Sequence, residues 1–208
     1  VLKEAIVNAI SSADIVLSTG GVSVGDYDYV EQLLAELGGE IHIRAVAIKP
    51  GKPLTVATFP PPKNGEELGR SVLYFGLPGN PVSALICCWR FVQPALSKLS
   101  GLPQEVWEPV FVRARSHHDL RSNGRLETYF WGQLSLDASG AYEFHLASGS
   151  HSSGNLINLV KTNGLAIVPA GQTLLSAERC RADPARGDGA VQPRGCRGGP
   201  FNRLGFPD

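Results

Sequence analysis

The sequence predicts an α/β domain over residues 1–104, followed by a small, mainly β domain over residues 105–180. Three observations predict it. Short apolar runs of strand length alternate with helically spaced ones in the first part of the chain. Glycine-bearing loops at 20–25, 49–53 and 77–81 stand at the ends of those strand-like runs, where an α/β sheet binds its ligands. After Pro103 the pattern becomes a series of strand-like runs separated by turn signals.

Residues 1–13 space Leu2, Ala5, Ile6, Ala9 and Ile10 as one helix face, ending near Ser11-Ser12. Asp14 to Ser18 is short and apolar, as a buried strand should be. It feeds the first glycine loop, and a second helix runs from about Asp28 to Leu37 before Gly38-Gly39 stops it. Ile41 to Ile48 reads as one strand, broken by Lys49-Pro50-Gly51-Lys52-Pro53; Leu54 to Phe59 resumes extended structure. Pro60 to Gly65 is a turn-rich loop and Ser71 to Gly76 a further buried strand. In the helix after it, Asn80 is placed to cap and Pro81 suits the first turn. That helix carries Leu85, Ile86, Trp89, Val92 and Leu96, should kink at Pro94, and ends at Gly101.

In the second domain Val110 to Ala114, Glu127 to Leu136, Tyr142 to Leu146 and Leu165 to Val168 read as strands, and Leu156 to Thr162 as a helix. Residues 181–208 are rich in Arg, Gly and Pro, and predict a disordered tail foreign to the fold.

The 43% hydrophobic and 18% charged content of the 208 residues suits a core-forming protein. Lys+Arg and Asp+Glu both count 19, so no overall field draws the chain to nucleic acid or an anionic membrane, and anion binding has to be local. No apolar run reaches the roughly 18 residues of a membrane span. Cys87, Cys88, Cys180 and Cys196 form no C-x-x-C, which predicts a reducing, cytoplasmic setting. The chain has no methionine and opens at Val1 in mid-helix pattern, so the start reads as a cut in a longer protein.

The loop Gly20-Gly21-Val22-Ser23-Val24-Gly25 joins a strand to a helix, where backbone N–H groups can approach a phosphate. Asp28 at that helix start has two readings: an N-cap in a capping-box arrangement with Glu31, or a carboxylate holding Mg²⁺ beside the phosphate. Lys49 and Lys52 lie on a turn stiffened by two prolines. Their like charges repel, and a bound oxyanion relieves that repulsion. Leu77-Pro78-Gly79-Asn80-Pro81 has few side chains to obstruct a ligand, and Ser83 stands in the first helical turn. Ser116-His117-His118-Asp119 reads as an exposed turn, and His42, His145 and His151 lack metal-ligand spacing. Cys87-Cys88 reads as core, and Arg186-Gly187-Asp188 as a chance tripeptide.

Taken together, T-G-G-V-S-V-G-x-x-D-Y at 19–29, A-I-K-P-G-K-P at 47–53 and L-P-G-N-P-V-S at 77–83 resemble the pterin-binding domain of the molybdopterin molybdenumtransferases, a family that includes gephyrin's C-terminal domain. G-R-L-E at 124–127 and G-S-H-S-S-G-N-L at 149–156 extend the resemblance into that family's C-terminal β domain. It implies a partial, three-layer, MogA-like molybdopterin-binding domain, then the β domain. It also implies a reaction: adenylylated molybdopterin and molybdate give molybdenum cofactor and AMP, with Mg²⁺.

By matching position, Asp28 would sit at the nucleotide and metal end. Lys49, Lys52 and Ser83 would lie where the family binds molybdate, with Arg125 and Ser153 closing over it. Gly20, Gly21, Ser23, Gly25, Pro78, Gly79 and Asn80 would line the substrate. Small-molecule pterin and molybdate are the implied partners, without nucleic acid or membrane, in a homodimer of the full-length protein.

Three departures stand beside the resemblance. The family's basic residue before K-P-G-K is here Ala45, with Arg44 one step displaced. An opening strand with its ligand loop and two preceding domains are not in the chain. In place of the family's closing strand the chain has Ser176-Ala177-Glu178-Arg179-Cys180 and then the Arg-, Gly- and Pro-rich residues 181–208. A molybdopterin adenylyltransferase and a non-catalytic pterin-binding scaffold are the competing expectations.

Overall fold

The computed structural model describes residues 1–20, 27–61, 70–107, 109–149, 151–154, 156–177 and 191–193. The first half contains α1 (Leu2–Ser12), β1 (Ile15–Thr19), α2 (Tyr27–Glu36), β2 (Glu40–Ala45), β3 (Ile48–Lys49), β4 (Pro53–Phe59), β5 (Val72–Leu77), α3 (Pro81–Cys87), a π-helical turn at Cys88–Val92 and α4 (Gln93–Leu99). The second contains β6 (Ala114–Ser116), β7 (Leu120–Arg121), β8 (Glu127–Leu136), β9 (Tyr142–Leu146), β10 (Gly164–Val168), β11 (Leu174–Leu175) and β12 (Val191–Pro193), with 3₁₀ turns at Gln104–Val106 and Leu156–Leu159.

Two compact units result, Val1–Val46 with Gly51–Cys88, and Ala47–Pro50 with Trp89–Asp208. This division groups Ala47–Pro50 with the second unit. The physical reason is strand pairing: the run expected as one strand over 41–48 breaks, and β3 pairs in parallel with β8 instead of continuing β2.

The first unit is built on a sheet of order β1-β5-β4-β2 in which only β1 and β5 run parallel. Central β5 (VLYFGL) is buried at five of its six positions, as a strand covered on both faces must be. Val72 and Tyr74 join Val16, Ala57 and Phe59 in a core with Ile6 of α1 and Val30, Leu33 and Leu34 of α2. By alternation Phe75 and Leu77 turn to the other face. There α3 contacts β5 and carries buried Val82, Ile86 and Cys87.

The C-terminal ends of α2 and α4 obey the sequence signals. The amides of Gly38 and Gly39 bond to Ala35 and Leu34 (3.0 and 2.8 Å), a Schellman closure of α2, and Gly101 and Leu102 close α4 the same way onto Lys98 and Ser97. Pro94 has no N–H to give and stands in the first turn of α4, directly after the π-helical turn at Cys88–Val92.

The second unit holds a sheet of order β12-β10-β8-β9-β6 and a small β11-β7 pair. Its core gathers Ala114, Leu120, Leu134, Phe144, Ala166, Val168 and Leu175, while β10 is buried along all five residues. The strand expected at 110–114 forms instead at Ala114–Ser116, where β9 offers a partner. The helix expected over 156–162 shrinks to a 3₁₀ turn. Leu156, Ile157 and Val160 stay exposed, so no burial rewards a longer helix, and Lys161 at φ 67° ends it. Of residues 181–208 only 191–193 are described. They form β12 on the free edge of β10, with Val191 opposite Ala166, inside the segment expected to be disordered.

Candidate functional site

In the first unit the loops after β1 and β5 leave the sheet side by side, because the two strands are parallel neighbours with Thr19 opposite Leu77. The Thr19 hydroxyl donates to the Pro78 carbonyl at 3.1 Å. A Cβ at Gly79 would lie 3.4 Å from the Gly20 Cα, so the absence of side chains lets the two backbones approach. Gly20, Pro78, Gly79 and Asn80, all predicted to line the substrate, are thus brought together.

Asn80 occupies the N-cap of α3 with Pro81 directly after it, and its carbonyl accepts from Ala84 at 2.9 Å. Its side chain makes no cap hydrogen bond, contrary to the simplest capping expectation. Ser83, in the first turn of α3, is only 4% exposed. Behind the site Ser18 Oγ meets Tyr74 OH at 2.6 Å; burial raises the Tyr74 pKa and the Ser18 bond partly offsets it.

Gly21, Ser23 and Gly25 lie outside the described residues, as does the Asp28 side chain. The Asp28 backbone is inside α2, one residue past its first, rather than at a cap. Glu31, its expected capping-box partner, instead holds Arg44 of β2 in an ion pair. That pairing also accounts for Arg44.

The K-P-G-K turn is held from inside. Val46 N–H donates to the Lys52 carbonyl at 2.9 Å, and the buried Cys87 thiol donates to the Gly51 carbonyl at 3.3 Å. Burial, with Cys88 adding, pushes the Cys87 pKa up to about 12, so the thiol keeps its proton and remains a donor at neutral pH. Lys49 and Lys52 are both exposed, and among the described residues neither forms an ion pair. Two exposed cationic side chains on a fixed backbone suit an oxyanion.

In the second unit β3 lies along β8, with Ile48 opposite Glu127 and Lys49 opposite Thr128. The turn just before β8 presents Arg125, which is exposed. Its backbone N–H donates to Asn123 Oδ1 at 3.0 Å, and the Ser122 hydroxyl accepts from Gly124 at 3.2 Å while bonding Thr128 Oγ1 at 2.8 Å. The β3 pairing therefore sets Lys49 alongside the strand that this turn leads into. Ser153 stands in a separate turn after β9, half-buried, with no hydrogen bond to Lys49 or Arg125 among the described residues.

Sequence reasoning missed two groups. One is Cys87, read only as core. The other is a chain of Arg90, Tyr129 and Glu127: Arg90 Nε donates to Tyr129 OH at 2.6 Å, Tyr129 OH donates to Glu127, and Arg90 stands 3.8 Å from Glu127. Burial first, then the Glu127 hydrogen bond, raises the Tyr129 pKa, with the Arg90 charge pulling the other way. The available signal was the Glu127-x-Tyr129 spacing, which puts both on one strand face, with Glu127 already inside the G-R-L-E motif.

Comparison with known proteins is consistent across the chain. Residues 1–98 match the family described as "Probable molybdopterin binding domain", and residues 113–180 match "MoeA C-terminal region (domain IV)". A molybdopterin molybdenumtransferase from a Nostoc species is 60% identical over 85% of this chain and 38% of its own length. One from Haemophilus influenzae is 32% identical over 83% of this chain and 41% of its own. Gephyrin of Dictyostelium discoideum is 40% identical over 81% of this chain and 25% of its own. Among solved structures, the moeA protein of Pyrococcus horikoshii aligns at TM-score 0.56 and 22% identity, over 92% of this chain and 38% of that one, a likeness of fold. The chain thus spans about two fifths of the length of the first curated relatives it matches.

Proposed function

The chain belongs to the family of the molybdopterin molybdenumtransferases, and on that premise we propose that it carries the molybdate-binding part of an enzyme that inserts molybdate into adenylylated molybdopterin and releases AMP. The observation that carries this reading is the K-P-G-K turn: two exposed lysines that form no ion pair among the described residues, on a backbone fixed by Val46 and Cys87.

Lys49 and Lys52 donate charged hydrogen bonds to two oxygens of the tetrahedral dianion and hold it for attack by the dithiolene sulfurs. By matching position in the family, Arg125 and Ser153 would be further donors. Gly20, Gly21, Ser23, Gly25, Pro78, Gly79 and Asn80 let backbone approach the pterin and its phosphates, while Ser83 supplies a hydroxyl. Asp28 has the hard carboxylate chemistry that suits Mg²⁺, which would neutralise phosphate charge as AMP leaves.

The second, mainly β unit and the K-P-G-K turn favour this reading over a molybdopterin adenylyltransferase. For the whole protein we propose a cytoplasmic homodimer. Cys87 and Cys88 are free thiols, which fits a reducing compartment, and among the described residues no helix is long and apolar enough to cross a membrane. The test is AMP release from adenylylated molybdopterin and molybdate by the full-length enzyme containing this chain, with an Asp28→Asn variant beside it. Turnover by the wild type and its sharp loss in the variant, without a change in thermal stability, support the assignment. Binding without turnover by the wild type would favour a scaffold role.

A further inference from the structure

Three donors outside this site converge in the second unit. Residues His117, Glu143 and His145 each offer a ligand atom, and these atoms lie within 4.8 Å of one another. Strand pairing puts them there. β6 runs parallel to β9 with Ser116 opposite Phe144, and the His117 N–H donates to the Phe144 carbonyl at 3.1 Å, so His117 arrives beside His145. Glu143 and His145, two apart on β9, share the face opposite Phe144, which is buried in the core.

The two imidazoles stack with centroids 4.2 Å apart and planes 9° apart. One carboxylate serves both, at 3.1 Å from His117 Nε2 and 3.9 Å from His145 Nε2. Arg115 lies opposite Glu143 on β6, yet the close contacts of the Glu143 carboxylate are with the two rings.

We propose that His117, Glu143 and His145 form a binding site for a divalent first-row transition-metal ion of the zinc class. Two imidazole nitrogens and a carboxylate oxygen are the donors such ions prefer, whereas Mg²⁺ and Ca²⁺ favour all-oxygen sets. At metal–ligand distances of about 2.0–2.2 Å, tetrahedral donors stand roughly 3.4 Å apart, so rotation of partly exposed side chains brings these three into range without moving the sheet. With side chains 34% and 44% exposed, the histidines leave the remaining coordination positions to water. The ion would tie edge strand β6 to β9, reinforcing a pairing only three residues long.

The test titrates the untagged, metal-free full chain with Zn²⁺ and with Co²⁺ as a spectroscopic stand-in. One equivalent should bind with micromolar affinity, the Co²⁺ spectrum showing nitrogen and oxygen ligation with no thiolate charge-transfer band. At about a hundredfold excess of Zn²⁺ over Kd, thermal unfolding should rise by roughly 5–10 °C. His117→Ala and His145→Ala should each weaken binding at least tenfold, and Glu143→Gln should weaken it with the circular dichroism spectrum unchanged. His42→Ala and His118→Ala should have no effect. A thiolate band, affinity unchanged in the His117→Ala/His145→Ala double variant, or no binding at millimolar metal would overturn the proposal.

Discussion

Replacing Cys87 with Ala tests how the K-P-G-K turn is held. The thiol is fully buried and donates to the Gly51 carbonyl at 3.3 Å. Truncation removes a weak hydrogen bond and leaves a carbonyl in a buried turn without that donor, a cost of about 1–3 kcal/mol. Losing the sulfur from the core adds roughly 0.8 kcal/mol, the value of one methylene-sized group. A total of about 2–4 kcal/mol should lower Tm by roughly 4–15 °C in a chain of this size.

Cys87→Ser keeps a donor at the same position, so it should lose less stability and retain more molybdate affinity. The assay is thermal unfolding of the wild type and both variants, followed by molybdate calorimetry on each. The expected order in both is wild type, then Ser, then Ala. Equal losses in the two variants would show that side-chain volume matters rather than the bond to Gly51. An Ala variant as stable as wild type would refute the clamp altogether.

Two further predictions rest on the second unit. Gly132→Ala would place a Cβ 2.1 Å from the His145 carbonyl across the β8–β9 pair. Backbone cannot step aside cheaply, so the variant should be destabilised by at least about 1–3 kcal/mol in chemical denaturation; an unchanged midpoint would contradict the close approach. For Tyr129, whose folded pKa is raised above 10.0, the sign is that its contribution is whole below pH 10 and declines as pH rises above that toward the folded value. The wild type should therefore lose stability above pH 10 more steeply than Tyr129→Phe, as read from denaturation midpoints across pH. Parallel curves would contradict the burial of a protonated phenol.

Local signals carried much of this fold. The expected bounds of β8 and β9 match those observed, because each is a strand-length run between clear turns. Gly38-Gly39 and Gly101 act through the chain's own stereochemistry and were legible for that reason. Long-range pairing escaped. Nothing local in Ala47-Ile48-Lys49 announces a partner in Glu127 and Thr128, and His117 and His145, without ligand spacing along the chain, meet only through the β6–β9 register.

The site divides similarly. The loops at Gly20 and Gly79 and the exposed lysines are legible from residue types, since small residues open space and prolines fix turns. The roles of Cys87 and of the Arg90–Tyr129–Glu127 chain depend on what each side chain faces across the core, which spacing alone does not encode. Asn80 shows the limit even for a strong local signal: it stands at the cap position without making the side-chain bond that residue type suggests.

The central claim is that Lys49 and Lys52 bind molybdate, and calorimetric titration of molybdate into the full-length protein, wild type and the two single Ala variants, tests it most directly. Each substitution should weaken binding by about 1.5–3 kcal/mol, the range for hydrogen bonds to charged groups, or roughly ten- to a hundredfold. Rising salt should weaken the wild type as it screens the exposed charges. Molybdate affinity unchanged in both variants would contradict the account.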